Sequence, residues 1–406
     1  MKKLLQINVV ANSGSTGRIT EQLGNLVQEN GWRSYIAYGR WANFSNSELI
    51  PIGKKIDNII HYSYSFLLDN HGLGSNQATR KLIQKIKDIS PDIIHLHNIH
   101  GYYVNYEILF QYLSTLDIPI VWTLHDCWSF TGHCVHFQNI NCNKWKTECH
   151  NCPQIHEYPK SLFWDNSHNN YIKKKKTFTS IRNLTIVPVC EWLNKLLDQS
   201  FLKKCKRQVI LNGIDLNVFY PRDSRKKIED MFNLRRKFIC LAVANRWNQS
   251  KGLDDIIYIR KKLPENIVII MVGVTHKQIE NLPPGIIGLK NTENLEQLCS
   301  IYSASDVFIN PTYQDTLPTV NIESLACGTP VITYNTGGCS DIVDINTGYV
   351  INQGDKDNLY KYIMKMKQTG KMVYSTNCVA KAQKCFNAQV KYQEYMQLYN
   401  ELLKND

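Results

Sequence analysis

The chain lacks any apolar run long enough to cross a bilayer as a helix. Its longest, Ile267 to Val274, falls far short of the ~20 residues that a span requires. Low-complexity tracts and internal repeats are also missing. Charged residues make up only 20% and hydrophobic residues 43%, which is ordinary globular usage and excludes a disordered, collagen-like or highly charged coiled-coil chain. The opening Met1-Lys2-Lys3-Leu4-Leu5 imitates a signal peptide, but Gln6 and Asn8 break the apolar run and no small-residue cleavage site follows. It reads as a first buried strand. Acids are scarce relative to bases: 35 Asp and Glu face 47 Lys and Arg, a formal net charge of +12. A nucleic acid, an acidic membrane surface or a phosphorylated substrate would each suit that field.

At about 100–200 residues per domain, 406 residues leave room for two cores. Short, mostly unalternating apolar runs alternate with helical patterns throughout: Leu4 to Val10, Tyr35 to Tyr38, Ile93 to Leu96, Ile120 to Leu124 and Thr185 to Val189, then Phe238 to Ala244, Ile267 to Val274, Val307 to Ile309 and Val331 to Thr333. Runs of this kind belong to parallel strands buried on both faces, so each half is expected to be a doubly wound α/β unit. The expected division is 1–212, with a cysteine-rich insert at 127–152, then 213–384, then a helix over 385–406 that packs back onto the first domain. Polar, basic Asn212 to Lys237 suits the linker, and a cleft between the domains is the expected ligand site.

After the strand at Val307 comes Pro311-Thr312-Tyr313-Gln314-Asp315-Thr316-Leu317-Pro318-Thr319-Val320-Asn321-Ile322-Glu323, a loop running into a helix. Pro318 and Thr319 suit a helix start, whose free N–H groups and macrodipole favour a phosphate. Asp315 on the loop and Glu323 about one turn inside the helix can then accept hydrogen bonds from two polyol parts of one elongated ligand. Arg246 and Lys251 follow the first strand of the second half, at the carboxyl end where open α/β sheets bind ligands, and two cations there can neutralise a departing diphosphate. In the first half, Gly14 and Gly17 belong to a glycine-containing turn ahead of a helix, although the pattern is not G-x-G-x-x-G. His125 follows the strand Ile120 to Leu124 and is expected to pair with Asp126.

The Arg246 and Lys251 pair, the Asp315 to Glu323 spacing, Thr336-Gly337-Gly338 and the hinge Asn212-Gly213-Ile214-Asp215 occur in an order that closely resembles the family-4 glycosyltransferases of the GT-B fold. The resemblance covers almost the whole chain. It implies two Rossmann-like parallel-sheet domains facing a cleft. The first acid of the family's E-x7-E motif contacts donor-sugar hydroxyls and the second the nucleotide ribose, roles that fall on Asp315 and Glu323; here the first position is Asp, one methylene shorter. Arg246 and Lys251 match the bases that bind the donor diphosphate. Amides around Thr316, Leu317, Pro318 and Thr319 line phosphate and sugar, except that Pro318 has no N–H. Gly14 and Gly17 face the diphosphate, and His125 approaches the donor sugar. Such enzymes transfer a hexose-type sugar from a nucleoside diphosphate sugar with retention, through a short-lived oxocarbenium ion pair in which the departing phosphate takes the acceptor proton. No D-x-D motif stands in a comparable loop, so catalysis is expected without a cofactor or divalent metal. The bacterial surface-polysaccharide type implies a lipid-linked or oligosaccharide acceptor in capsule, O-antigen or exopolysaccharide synthesis. A cytoplasmic location, peripheral at the inner face of the membrane, goes with it.

Five cysteines crowd residues 127–152: Cys127, Cys134, Cys142, Cys149 and Cys152. Four thiolates, from Cys134, Cys142, Cys149 and Cys152, can hold one structural zinc, and Cys149-x2-Cys152 is a common half-site; disulfides or buried reduced thiols are the alternatives. Two other functions compete with transfer. A GT-B epimerase or phosphorylase would use the same cradle, and a basic zinc-containing nucleic-acid-binding protein would use the cationic stretches. The latter leaves Asp315 and Glu323 without a role. Of the basic clusters, Lys173 to Lys176 and Lys203 to Arg207 are expected to meet a membrane surface, not nucleic acid.

Overall fold

The computed structural model describes residues 1–404. The chain divides into two compact units, Met1–Ile210 together with the tail from Tyr392, and Leu211–Lys391. The first unit holds seven parallel strands: β1 (Lys3–Asn8), β2 (Arg33–Tyr38), β3 (Glu48–Pro51), β4 (Ile93–Leu96), β5 (Ile120–Leu124), β6 (Leu184–Pro188) and β7 (Lys206–Arg207), in the order β3-β2-β1-β4-β5-β6-β7. The second holds six: β8 (Phe238–Val243), β9 (Ile267–Val272), β10 (Ile286–Leu289), β11 (Val307–Asn310), β12 (Val331–Tyr334) and β13 (Gly348–Ile351), in the order β10-β9-β8-β11-β12-β13. Every ladder is parallel, from Leu4↔Ser34 and Leu4↔Ile93 in the first sheet to Phe308↔Leu241 and Phe308↔Val331 in the second.

The central strands β4, β5, β6, β9, β11 and β12 are buried along their whole length, because helices cover both faces of each sheet. The strands that apolar runs alone do not reveal, β3, β7, β10 and β13, are the four sheet edges. An edge strand pairs on one side only. The sequences Glu48–Pro51 and Lys206–Arg207 accordingly carry little continuous apolar character.

One segment differs from the sequence expectation. The basic stretch after Asn212 contains a helix, Arg225–Phe232, whose Arg225 bonds Glu229 at 2.6 Å and Asp306 at 2.9 Å and so belongs to the second unit. The Arg225 charge is thus satisfied by packing, while Lys226, Lys227, Arg235 and Arg236 stay exposed. The last helix, Ala388–Leu402, carries Tyr395 and Tyr399 into the first unit, where their hydroxyls bond Thr123 Oγ1 at 3.1 Å and His95 Nδ1 at 2.6 Å. No helix among the described residues is long and apolar enough to cross a membrane.

Candidate functional site

In the second sheet β8 lies between β9 and β11, so chain direction around the sheet reverses between β8 and β11. At such a switch point the loops leaving two adjacent strands diverge to opposite faces and open a crevice at their carboxyl ends. The loop after β8 carries Arg246, which is exposed, and Lys251; the loop after β11 carries Asp315. They meet there: Lys251 Nζ lies 2.7 Å from Asp315 Oδ2 and donates to the Gln314 carbonyl at 3.0 Å. The backbone ties the two loops as well, with Tyr313 N donating to Ser250 O at 2.8 Å. Asp254 and Asp255 open the helix Leu253–Lys262. Asp255 accepts from the Tyr313 and Tyr334 hydroxyls, each at 2.7 Å, and pairs with Lys356 at 3.1 Å, which leaves it a structural acid.

Asp315 is held from behind as well. Thr316 N donates to its Oδ1 at 3.0 Å, and Gly338 N donates to Thr316 O at 2.7 Å. Gly337, at φ +56°, lets the turn after β12 close over this loop, since a Cβ there would stand 1.9 Å from Asp315 O. Thr316, Leu317 and Pro318 are buried, and Pro318 caps the helix Thr319–Ala326. That helix has no acid in its first turn to offset its positive end. Glu323 sits in its second turn and accepts a 3.0 Å hydrogen bond from the Tyr302 hydroxyl. Burial, reinforced by Glu323, pushes the Tyr302 phenol far up, so it serves only as a neutral donor that aims the carboxylate.

In the first unit the corresponding reversal lies at β1, between β2 and β4. The turn after β1 ends at Ser13, and both glycines lie in the first turn of the helix Gly14–Glu29 and not ahead of it: Gly14 opens it at φ +61°, and the Gly17 carbonyl accepts from Asn12 N at 3.0 Å. His125 leaves β5 as expected, but Asp126 does not pair with it. Asp126 bonds His100 Nε2 at 2.7 Å and accepts from Trp128 N, because the carboxylate points toward the β4 loop. Burial raises the Asp126 carboxyl's cost of ionising, yet His100 outweighs this and holds it down to about 2. His125 belongs instead to a chain of imidazoles: its Nε2 lies 3.4 Å from His97 Nδ1, and the His97 ring lies 4.0 Å from that of His95. Burial lowers His125 to about 4 and His95 to about 3, so both are neutral at pH 7. The signal for His95, His97 and His100 is the run His95-Leu96-His97-Asn98-Ile99-His100 at a strand's carboxyl end.

The insert brings its thiols together. Cys134, Cys142, Cys149 and Cys152 line one small cavity of about 20 Å³ with His133 and His150. Cys134 hydrogen-bonds Cys152 and holds that thiol below its usual range, while its own is pushed up. His133 bonds Asp69 through Nδ1 at 2.6 Å, while its buried Nε2 has no hydrogen-bond partner among the described residues. With the side chains as they stand, no three His, Cys, Asp or Glu among the described residues form a metal-holding group. The basic cluster beside the insert is not all surface. Lys174 is buried, and its ammonium donates to the Trp128 and Thr131 carbonyls at 2.8 and 3.0 Å over the Trp128 ring, so of Lys173 to Lys176 it cannot meet a membrane.

Residues 16–218 match the family model described as Glycosyltransferase Family 4, and residues 224–384 the one described as Glycosyl transferases group 1. The Escherichia coli (strain K12) protein named for colanic acid biosynthesis as glycosyl transferase WcaC is 21% identical over 420 residues, covering 98% of this chain and 100% of that one. The Staphylococcus aureus capsular polysaccharide biosynthesis glycosyltransferase CapM is 24% identical over 239 residues, 54% of this chain and 62% of its own. Among solved structures, a sucrose-phosphate synthase from Thermosynechococcus elongatus superposes with a TM-score of 0.74 at 17% identity, covering 100% of both chains. Anabaena HepE in complex with UDP gives 0.69 at 15% identity, covering 99% of this chain and 100% of the other. These likenesses establish the GT-B fold.

Proposed function

This chain belongs to the family-4, group 1 glycosyltransferases, and from that premise we propose that it moves a hexose-type sugar from a nucleoside diphosphate sugar to a lipid-linked glycan, with retention, in the assembly of a surface polysaccharide such as capsule, O antigen or exopolysaccharide. One observation carries the reading. The Lys251–Asp315 pair stands at a sheet switch point on the loop leading to a helix whose amino end has no acid of its own. A cation and a dipole end arranged this way favour a diphosphate, and both gain strength as charge collects on the leaving group. The relatives named for colanic acid and capsule synthesis, and the neighbour solved with UDP, support the donor class and the product class.

In this reading Lys251 and Arg246 offset diphosphate charge. Asp315, already fixed by Thr316 N and the Gly337 turn, orients sugar hydroxyls, and Glu323, aimed by Tyr302, holds the ribose. Neutral His125 offers the donor sugar a hydrogen bond without adding charge. No side chain is assigned as a nucleophile or given a metal to work with. The lipid-linked acceptor calls for a cytoplasmic protein working at the inner membrane face. For the insert we propose a structural zinc on Cys134, Cys142, Cys149 and Cys152, supported by four thiols lining one cavity and the unpartnered His133 Nε2 beside it; the thiols would have to turn inward to bind it.

A panel of nucleotide sugars screened by thermal shift, followed by measurement of nucleoside diphosphate release with and without lipid-linked glycan, tests the function. Release that depends on the acceptor is expected. Conversion of the donor with no glycan acceptor present would replace transfer by the epimerase or phosphorylase reading.

A further inference from the structure

The helix Lys55–Leu68 is amphipathic in the inverted sense. Its buried residues are His61 and Ser65, both polar. His61 anchors it, Nδ1 to Ser75 Oγ at 2.9 Å and Nε2 accepting from Gly72 N and Gly74 N at 3.2 Å, while Asn58 Nδ2 donates to Gly39 O at 2.8 Å. At 3.6 residues per turn, Ile56, Ile59, Ile60 and Leu67 fall on the opposite stripe, and they are 56%, 50%, 61% and 50% exposed. A surface helix of a globular domain normally points such a stripe inward, because leaving it in water forgoes the main driving force of packing. Here polar bonds hold the helix down and the apolar face is turned out.

The exposed face continues beyond the helix. Leu162 N donates to Phe66 O at 2.8 Å, which ties a second loop to the helix's end, and the Ser161 hydroxyl donates to Trp164 O at 2.7 Å. That loop displays Phe163 at 83% and Trp164 at 64% exposure. Aromatic side chains of this kind settle at the boundary between lipid headgroups and hydrocarbon. Cations flank the patch: Lys54 and Lys55 open the helix and Lys160 precedes the aromatic tip, all exposed. Lysine side chains at a helix's amino end oppose its dipole, although the Lys54 backbone N–H caps the helix by donating to Asp57 Oδ2 at 2.7 Å. Their charge suits an anionic surface, as does the chain's +12.

We propose that this face, Ile56, Ile59, Ile60 and Leu67 with Phe163 and Trp164, docks the protein onto an anionic phospholipid bilayer as an interfacial helix lying in the headgroup plane. The purpose of the docking rests on the transferase reading, since a lipid-linked acceptor is reached there. The geometry does not. It also places the contact on this helix, not on the Lys203 to Arg207 cluster.

Flotation of the full chain with phosphatidylcholine vesicles, with and without one quarter phosphatidylglycerol, tests it. The parent chain should float with the anionic vesicles. Ile59→Asp with Ile60→Asp should weaken partitioning at least about tenfold, Lys54→Glu with Lys55→Glu should abolish the preference for anionic lipid, and Lys203→Glu with Lys204→Glu should leave binding unchanged. Phe163→Ser with Trp164→Ser repeats the test on a loop, should the helix variant misfold by circular dichroism. The proposal is overturned if the parent ignores the vesicles, if the apolar variants float as it does, or if the Lys203 and Lys204 change is the one that releases it. Light scattering that shows a parent dimer split by the Ile59 and Ile60 changes would also overturn it, assigning the face to a second copy of the chain. Donor-induced thermal shifts measured without lipid report separately on the transferase reading, and the Ile59 and Ile60 variant should keep them.

Discussion

Replacing Lys251 with alanine should separate catalysis from stability. The ammonium is 2.7 Å from Asp315 and 3.0 Å from the Gln314 carbonyl, but the two side chains keep 33% and 22% of their exposure. An ion pair so open to water contributes about 0–1 kcal/mol to folding. In a unit of this size that is worth no more than roughly 2–4 °C in Tm. Opposite a departing diphosphate the same charge acts where negative charge grows, and losing one such contact costs about 2.7–4 kcal/mol, or 10²–10³ in kcat. Lys251→Ala should therefore lose two to three orders of magnitude in acceptor-dependent release of nucleoside diphosphate, with a melting curve close to the parent's. Lys251→Arg should recover part of the rate, because charge survives while the compact ammonium geometry does not. The two readouts come from one preparation. A rate within threefold of the parent, or a Tm lowered by more than about 10 °C, would show the lysine to be a structural tie between the loops and refute the reasoning.

Other changes test the neighbouring contacts. Glu323→Gln keeps an acceptor for the Tyr302 hydroxyl but removes the charge that a ribose would meet, so KM for the donor should rise about tenfold with an unchanged melting curve; an unchanged KM would remove Glu323 from the donor site. Gly337→Ala drives a Cβ into the Asp315 carbonyl at a positive φ, and urea titration should show a loss of roughly 1–3 kcal/mol together with weaker donor binding; intact donor binding would mean that the turn does not position Asp315. Acid should destabilise the first unit. His95 and His125 titrate near 3 and 4 when folded against about 6.5 when unfolded, so their contribution is complete above pH 6.5 and falls as the unfolded chain takes up protons below it. At pH 5 the cost is about 2 kcal/mol for each. His133, which burial lowers but Asp69 raises above its usual value, opposes this in part. A Tm that holds or climbs between pH 7 and 5 would contradict the buried-imidazole account. Finally, elemental analysis of chain purified without chelator should give about one zinc per chain, lost with Cys149→Ser and Cys152→Ser; a metal-free, fully stable preparation would assign the insert to buried thiols.

Local pattern determined much of this protein before any fold was seen. Unalternating apolar runs announce parallel strands because such strands are buried on both faces, and the central strands of both sheets follow from them. The loop and helix from Asp315 to Glu323 are legible too, since a helix start and an eight-residue spacing are short-range facts. Edge strands such as Lys206–Arg207 escaped because half their stabilisation comes from a neighbour and little from their own residues. Tertiary structure alone decided which loops meet. Lys251 and Asp315 stand 64 positions apart and join only because β8 and β11 are neighbours at a switch point. The same holds for Asp126, which sequence adjacency pairs with His125 but geometry gives to His100. Lys174 looks like one member of a surface cluster until two buried carbonyls claim it. The helix Lys55–Leu68 shows the limit most plainly. Its periodicity establishes that one face is apolar, but which face turns toward the core depends on what His61 and Asn58 find to bond, and those partners lie elsewhere in the chain.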